Sequence, residues 1–310
     1  MSVNCGLRHA ILCAMNSVTE FSPAKINLLL AVTGCRTDGY HDLISVAAPL
    51  DFGDELVAES RERDAGPQFI LSCAQPEVPL DDSNLIFKAA HAFVRATDWQ
   101  GGVHFKLTKR IPLGAGLGGG SSNAVAALRA LHKISGGLLT TEQLAALAAT
   151  LGSDCALFVR PAPALMRGRG EKIEAVPAAA RRRLSGRRVL LFKPHFSINT
   201  AWAYQQMRQR ATDYVSVELT EKQLTAWLAG SEPAEQLLAN NMEALAFDKF
   251  IALPVLLKKL QVKFGLQGRM SGSGSACFVF LSEGQSSAPL LECIRACWGA
   301  AVFIQEAHLS

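Results

Sequence analysis

A glycine-rich run in the first half of the chain has the composition of a phosphate-binding loop. Residues 112–123 read Pro-Leu-Gly-Ala-Gly-Leu-Gly-Gly-Gly-Ser-Ser-Asn, so five of the twelve positions are glycine. Glycine lets the backbone adopt positive φ and approach an anion closely, and the Ser-Ser-Asn that follows is typical of residues that cap a helix start. An anion there meets unpaired N–H groups and the positive end of the helix dipole. The run therefore predicts a phosphate site, since a simple turn would need only one or two glycines.

Two other nucleotide-binding motifs fit this run less well. Gly114-x-Gly116-x-x-Gly119 has the dinucleotide-binding spacing, but residues 134–139 carry no acidic residue for a ribose. A nicotinamide-dependent oxidoreductase is therefore disfavoured. A P-loop would end in Gly-Lys-Ser/Thr, whereas the last glycine of the run is followed directly by serine.

A protein-kinase triplet, Asp51-Phe52-Gly53, stands at the wrong place in the chain. In protein kinases the glycine loop precedes this triplet, and here it follows. We interpret residues 51–54 as a turn between two strands.

Composition limits the classes of protein to consider. The 310 residues are 49% hydrophobic and 19% charged, with a net charge of +4. No apolar run reaches the roughly 18 residues of a membrane span, and basic and aromatic residues are not interleaved as in nucleic-acid-binding proteins. The eight cysteines lack metal-ligand spacing, which favours a reducing, cytoplasmic location. Residues 1–14 lack the apolar core of a signal peptide. We therefore expect either that they form a flexible extension or that translation starts at Met15.

The elements of the first half must position the glycine run. Residues 22–32 form a predicted strand in which Lys25 and Asn27 share one face, since residues of the same parity point the same way. Residues 81–84 cap a predicted helix, and residues 103–108 form an alternating strand that leads into the glycines. A helix follows the run, and another begins at the capping box Thr140-x-x-Gln143 and ends at Gly152.

The second half begins after a basic stretch, residues 178–188, that we interpret as a solvated linker. The expected elements beyond it are a strand at 189–192, helices near 200–210, 221–229 and 234–261, a glycine segment at 270–275, a strand at 276–281, a helix near 287–297 and a last strand at 302–304. Strands and helices alternate without a strict βαβ rhythm. The chain is therefore predicted to be an α+β protein.

Several ordered motifs together resemble those of the GHMP kinases. They are residues 22–28 (Ser-Pro-Ala-Lys-Ile-Asn-Leu), 33–41 (Thr-Gly-Cys-Arg-Thr-Asp-Gly-Tyr-His), 112–123, 151–154 (Leu-Gly-Ser-Asp), 168–171 (Gly-Arg-Gly-Glu) and 270–275. The resemblance runs from about residue 20 to the C-terminus. It implies a two-domain fold, with a ribosomal-protein-S5-like N-terminal domain and a ferredoxin-like α/β-plait C-terminal domain. The expected divisions are a flexible extension at 1–18, an ATP-binding domain at 19–178 and a second domain at 186–310.

The resemblance also implies a reaction. ATP would donate its γ-phosphoryl group, with Mg²⁺ assisting, to the 2-hydroxyl of a cytidine diphosphate-linked methylerythritol. Asp154 matches the family's catalytic base and Lys25 its charged partner, while no metal-binding residues are expected because Mg²⁺ arrives with the nucleotide. The implied ATP-binding residues are Pro112, Leu113, Gly114, Ala115, Gly116, Leu117, Gly118, Gly119, Gly120, Ser121, Ser122 and Asn84. Asn84 could equally be a plain helix cap.

The cytidine end distinguishes this substrate from those of related kinases. The resemblance implies that His41 hydrogen-bonds the cytosine and Tyr40 stacks on it, with Asn27 and Thr200 as further contacts. Tyr204 is expected to cover the other face of the base, with Phe196 and Trp202 as rivals.

Two alternatives stay open: another small-molecule kinase of the superfamily, such as a mevalonate or homoserine kinase, and a catalytically silent ATP- or sugar-binding regulator. Two departures from the family pattern are Cys155-Ala156 after Asp154, and Ser275 in the second glycine segment. The expected state is a monomer or weak homodimer that binds no nucleic acid and no membrane.

Overall fold

A computed structural model describes residues 16–62 and 68–310. The expectations for residues 1–15, including a start at Met15, lie outside these residues. The first strand begins at Ser17, and Val18 is buried. The predicted extension, residues 1–18, overlaps the first two residues of this strand, and its bounds stay a prediction.

The described strands and helices alternate irregularly along the chain. The strands are β1 (Ser17–Cys35), β2 (His41–Arg61), β3 (Phe69–Cys73), β4 (Gly102–Thr108), β5 (Ala164–Gly168), β6 (Lys172–Ala175), β7 (Arg188–Lys193), β8 (Ala239–Asn240), β9 (Arg269–Met270), β10 (Cys277–Leu281) and β11 (Phe303–His308). The helices are α1 (Leu85–Thr97), α2 (Gly119–Ile134), α3 (Thr141–Leu151), α4 (Ala178–Leu184), α5 (Thr200–Gln209), α6 (Val217–Ala229), α7 (Met242–Lys249), α8 (Ala252–Phe264) and α9 (Ala288–Trp298). No described helix has the length and apolar character needed to cross a membrane.

The first sheet is built around the long antiparallel pair of β1 and β2. Its strand order is β3-β4-β2-β1-β8, and β5 and β6 extend it from the N-terminal part of β2. Register shifts interrupt the β1–β2 pairing between Pro23 and Lys25 and between Asn27 and Leu29. Such bulges bend a strand and redirect its side chains. Lys25 and Asn27 therefore lie on an irregular stretch of an otherwise apolar, buried strand.

The second sheet has the order β11-β7-β10-β9, and all of its pairings are antiparallel. The predicted α+β class is confirmed. The two halves are not independent, however, because β8 from the second half pairs in parallel with β1 through Leu29 and Leu30. The division at residues 178 and 186 stays a prediction.

The interpretation of residues 51–54 as a turn is wrong. These residues continue β2 without a break. Asp51 accepts a hydrogen bond of 2.7 Å from the His308 backbone N–H, and the ring of Phe52 lies 5.9 Å from that of Phe303. The triplet therefore forms a contact between β2 and the C-terminal strand, which a local turn rule cannot detect.

Two interpretations of the second half also need correction. The basic stretch forms α4 rather than a solvated linker, because Arg183 stacks 4.2 Å over the Trp227 ring and donates to carbonyls of α6 and the loop after it. The single helix expected at 234–261 is divided into a short 3-10 turn, β8, α7 and α8.

Two predicted helix starts are confirmed, and in each a side chain caps the backbone N–H groups of the first turn. Asn84 caps α1 by accepting from the Ile86 N–H at 3.0 Å. Thr140 and Gln143 form the predicted capping box of α3, which ends at Gly152. These predictions are confirmed because each depends only on residues a few positions apart.

We expect Gly53→Ala to lower the free energy of unfolding by about 1–3 kcal/mol, the usual effect of overpacking. A β-carbon at Gly53 would lie 2.3 Å from the Ser22 carbonyl oxygen. Urea denaturation measures the change. Gly34→Ala in β1 is the matched control, because a β-carbon there has no neighbour within 4 Å. Equal stability of the two variants would contradict the close approach at Gly53.

Candidate active site

A cleft of about 940 Å³ lies where the two halves of the chain meet. Its walls come from β1, the glycine run, the segment after α3, helix α5 and the second glycine segment. Residues that the sequence singled out for separate reasons therefore surround one cavity.

The glycine run is held between the two halves by its own carbonyl groups. The Lys25 N–H donates to the Leu117 carbonyl and the Ala276 N–H to the Ala115 carbonyl, each at 2.9 Å. A β-carbon at Gly116, where φ is +75°, would lie 2.2 Å from the Ser271 carbonyl oxygen. The run can pack this closely against the second glycine segment only because it has no side chain there.

Helix α2 begins without a side-chain cap. Its N-cap is Gly118, with φ of +73°, and the Ser122 N–H makes the first hydrogen bond to the Gly118 carbonyl at 2.9 Å. The preceding N–H groups of Gly119, Gly120 and Ser121 thus have no acceptor within the helix. Together with the helix dipole, these groups form an anion-binding site.

The expectation that residues 121–123 cap this helix is wrong, because the helix starts at Gly119. Ser122 and Asn123 are buried instead. Ser22 donates to the Ser122 hydroxyl and the Asn123 amide donates to the Ser22 hydroxyl, each at 2.8 Å. These bonds fix the first turn of α2 against β1.

A buried ion pair lies beneath the glycine run. The Lys109 ammonium donates to Asp54, which also accepts from the backbone N–H groups of Arg110 and Ile111 and from the Asn123 amide. Burial lowers the pKa of Lys109, and the Asp54 charge opposes that shift. A β-carbon at Gly119 would lie 2.9 Å from the Lys109 ammonium nitrogen. The pair therefore places a cation directly beside the run.

Lys25 and Asp154 meet at the floor of the cleft. The Lys25 ammonium lies 3.3 Å from Asp154 and donates to the Asn27 side-chain oxygen at 2.6 Å. The Asn27 amide donates in turn to the Ser45 hydroxyl, which donates to the Leu29 carbonyl. Lys25 is 5% exposed, whereas Asp154 is 33% exposed. The ammonium is thus held in place, while the carboxylate keeps an open side toward the cleft.

The second glycine segment is fixed by two side chains from the β8–α7 region. The Asn240 amide donates to the carbonyls of Met270 and Gly272 at 2.8 and 2.9 Å. Glu243 accepts from the Met270 N–H at 2.8 Å, and burial raises the pKa of its carboxyl to about 6. At the end of the segment, the hydroxyls of Ser273 and Thr200 are hydrogen-bonded at 2.9 Å. This bond joins the segment to the start of α5.

Aromatic rings gather at the far end of the cleft. The His41 ring lies 5.1 Å from that of Tyr204 and 5.9 Å from that of Tyr214, and Tyr40 lies beside it. His41 is buried and its Nε2 atom has no hydrogen-bond partner among the described residues. Burial, and then the charge of Arg208, lower its pKa. The imidazole is therefore neutral near pH 7.

Three comparisons with known proteins bear on this cleft. The N-terminal domain model of the GHMP kinases matches residues 84–160. The 4-diphosphocytidyl-2-C-methyl-D-erythritol kinase of Methylacidiphilum infernorum (isolate V4) is 38% identical over 269 residues, which are 86% of this chain and 88% of that protein. The chain belongs to this kinase family.

Solved structures agree with that membership. A crystal structure of 4-(cytidine 5'-diphospho)-2C-methyl-D-erythritol kinase matches with a TM-score of 0.74 and 32% identity, covering 94% of this chain and 100% of that one. Homoserine kinase from Cytophaga hutchinsonii matches with a TM-score of 0.72 at 16% identity, covering 97% of both chains. The second likeness shows the shared fold alone.

Within this kinase fold, most residues predicted for the site lie on the cleft. Those that line it are Lys25, Asn27, Tyr40, His41, Pro112, Leu113, Gly114, Ala115, Gly116, Leu117, Gly118, Gly119, Gly120, Ser121, Asp154, Thr200 and Tyr204. Two predicted residues do not. Ser122 is buried against β1, and the Asn84 amide is occupied by its cap and by a 2.7 Å bond to the Pro79 carbonyl. The neighbour of Asn84, Leu85, lines the cleft instead.

The rival aromatic residues are placed elsewhere. Phe196 and Trp202 both pack on Phe250, with ring centroids 5.0 and 5.8 Å away, and neither lines the cleft. The sequence analysis gave no site role to Lys109, Asp54 or two cleft-lining arginines, Arg169 and Arg208, although Arg169 lies in the motif at residues 168–171. The only local sequence feature that pointed to the buried pair was the position of Lys109, three residues before Pro112 at the start of the glycine run.

We expect Asp54→Asn to lower the free energy of unfolding by about 3–5 kcal/mol, because it leaves the buried Lys109 ammonium without a counter-charge. Urea denaturation at pH 7 tests this. The matched control is Glu59→Gln, which breaks an exposed Lys106–Glu59 pair between β4 and β2. Exposed pairs contribute little, so the control should stay close to the parent protein. A small effect at Asp54 would show that the buried pair does not support the loop.

Proposed function

We propose that the protein is a small-molecule kinase that transfers the γ-phosphoryl group of ATP to the 2-hydroxyl of 4-diphosphocytidyl-2-C-methyl-D-erythritol. This reaction belongs to the non-mevalonate route to isoprenoid precursors. The observation that carries the proposal is one cleft that joins three parts: an uncapped helix start, the Lys25–Asp154 pair, and a pocket of His41 and tyrosines. These parts suit a triphosphate, a reacting hydroxyl and a planar base.

The glycine run and the start of α2 are the proposed site for the triphosphate of ATP. The free N–H groups of Gly119, Gly120 and Ser121 supply hydrogen bonds, and Lys109 supplies positive charge beside them. Preorganised donors of this kind stabilise charge on a transferring phosphoryl group. They also favour ATP over uncharged ligands in the same space.

Mg²⁺ is proposed to accompany the nucleotide. Within the described chain, no group of three or more His, Cys, Asp or Glu side chains could hold a metal ion. Asp154 and Ser121 both line the cleft, and their side-chain oxygens suit a hard cation that takes most of its ligands from phosphates and water. When bound, the ion would neutralise negative charge on the phosphates.

Asp154 is proposed as the base and Lys25 as its positioning partner. The substrate hydroxyl gives its proton to Asp154, and the hydroxyl oxygen forms a bond to the γ-phosphorus of ATP. At the same time the bond between the γ-phosphorus and the β,γ-bridging oxygen breaks, so ADP leaves. Such transfers depend mainly on positioning and charge neutralisation. The bonds from Lys25 to both Asp154 and Asn27 hold the carboxylate toward the cleft.

The far end of the cleft is proposed to bind the cytosine. A neutral imidazole both donates and accepts hydrogen bonds, and the Nε2 atom of His41 has no partner among the described residues. Tyr40 and Tyr204 line the cleft together with His41 and offer stacking surfaces, and Thr200 and Asn27 are further polar residues of the lining. This pocket favours a nucleotide-linked alcohol over the small acids of related kinases.

The silent-regulator alternative is less well supported, because the chain keeps both Lys25 and Asp154 in contact. Monomer or weak homodimer, and a cytoplasmic location, stay predictions. The six described cysteines, none of them in a disulfide, are consistent with that location.

We expect Asp154→Asn to lower kcat by about 10²- to 10⁴-fold, because the amide cannot accept the hydroxyl proton. The KM for ATP should change little, since the glycine run is untouched. A coupled ADP-release assay measures both. Asp248→Asn, an exposed carboxylate paired with Arg210, is the matched control and should retain full activity. Undiminished turnover of the Asp154 variant would refute its role as base.

We expect His41→Ala to raise the KM for the cytidine-linked substrate by about tenfold, the value of one lost hydrogen bond in a buried site. The KM for ATP should stay the same. His91→Ala on the exposed side of α1 serves as the control. If both KM values rose equally, the assignment of this pocket to the cytosine would fail.

A further inference from the structure

Two arginines at the aromatic end of the cleft have no role in the function proposed above. The charged residues that line the cleft are Lys25, Lys109, Asp154, Arg169 and Arg208. Lys25 pairs with Asp154 and Lys109 with Asp54. Neither arginine forms an ion pair with a carboxylate in residues 16–62 or 68–310. They are therefore the two cleft-lining cations of the described chain that have no carboxylate partner.

Arg169 is carried into the cleft by a tight turn between β5 and β6. Gly168 and Gly170 flank it with φ of +67° and +104°, and the Glu171 carboxylate accepts from the Arg169 N–H at 2.6 Å. Gly168 pairs with Leu43 of β2, so the turn lies beside the start of that strand. The Arg169 guanidinium carbon is 4.6 Å from the centre of the Tyr40 ring. Stacking on a tyrosine leaves the edge of the guanidinium free to donate.

Asp38, whose carboxylate is within range of the Arg169 charge, is already engaged. Asp38 is held by Arg36, whose Nε atom donates to both carboxylate oxygens at 3.1 and 3.2 Å, and it accepts from the Tyr40 N–H. Its pKa is lowered mainly by that backbone bond, and the Arg169 charge is the smallest contribution. Arg169 is thus not neutralised by Asp38.

Arg208 reaches the same place from the opposite wall. Thr200, Tyr204 and Arg208 are spaced four residues apart on α5, so they share one helix face, and all three line the cleft. One guanidinium nitrogen of Arg208 donates to the Gly39 carbonyl, next to Tyr40. A guanidinium has five donors, so the others remain for a ligand.

We infer that Arg169 and Arg208 bind the diphosphate of the nucleotide-linked substrate and so determine its specificity. This inference rests on the proposed function, because it takes the base to lie at His41. In such a substrate the ribose and then the diphosphate connect the base to the alcohol whose hydroxyl reacts at Asp154. Guanidinium groups are well matched to phosphate oxygens in charge and geometry. The site would therefore bind a nucleoside diphosphate. A nucleoside without the diphosphate would bind less tightly.

Calorimetric titration of the full chain with CDP and with cytidine tests the inference. In the parent protein CDP should bind more tightly than cytidine. Arg169→Gln and Arg208→Gln should each weaken CDP binding by about 10- to 100-fold, the loss expected for a charged hydrogen bond. Cytidine binding should change by less than about threefold. Arg169→Lys, which keeps the charge, should give an intermediate affinity for CDP. Arg182→Gln, an exposed arginine on α4, is the matched control and should bind both ligands like the parent.

The possible failures are distinguishable. Equal losses for CDP and cytidine would show that the arginines act only by supporting Tyr40, which overturns the inference. No loss for either ligand, or equal affinity of the parent for both, would also overturn it. If the parent binds CDP through these arginines yet consumes no ATP with the cytidine-linked alcohol, the proposed function fails while the diphosphate site stands.

Discussion

The cleft depends on a length of backbone that both halves of the chain hold at once. Two carbonyl groups of the glycine run accept hydrogen bonds from Lys25 on one side and Ala276 on the other. Because Gly116 has no β-carbon, the run passes within van der Waals distance of Ser271. The run therefore sets the distance between the reacting pair on β1 and the second glycine segment. A side chain at Gly116 would separate the halves and open the site.

Two lysine–aspartate pairs lie near this run, and they differ in how deeply the aspartate is buried. That difference gives the same two chemical groups a structural role in one pair and the proposed catalytic role in the other. Asp54 is fully buried, and four donors satisfy its oxygens, namely Lys109, Asn123 and the N–H groups of Arg110 and Ile111. A carboxylate so fully bonded has no free lone pair for chemistry, so it serves to hold the loop. Asp154 is one-third exposed and is held from one side by Lys25 alone. Its free oxygen is what a proton acceptor requires.

The correct predictions came from some of the signals that act over a few residues, whereas contacts between segments distant in sequence could not be predicted. The capping box at Thr140 and the shared face of Lys25 and Asn27 follow from local geometry. The continuation of β2 through Asp51-Phe52-Gly53 depends instead on β11, some 250 residues later, whose His308 bonds to Asp51. The position of Arg169 likewise depends on the pairing of β5 with β2, which brings the turn that carries Arg169 beside Tyr40. No pattern within either segment contains that information.

Charge is distributed along the cleft in an order that matches an extended nucleotide-linked alcohol. At one end His41 and Tyr204 are neutral near pH 7, because burial lowers the pKa of His41 and raises that of Tyr204, and the cations Arg169 and Arg208 lie beside them. At the other end, the free N–H groups of α2 and the Lys109 ammonium face a triphosphate. Between them stands the single cleft-lining carboxylate of the described chain, Asp154, beside Lys25. A carboxylate at the triphosphate end would repel phosphate, and one at the aromatic end would neutralise the arginines proposed to bind the diphosphate. Only the middle position brings it to a hydroxyl, because there the donor's terminal phosphoryl group and the acceptor alcohol must meet.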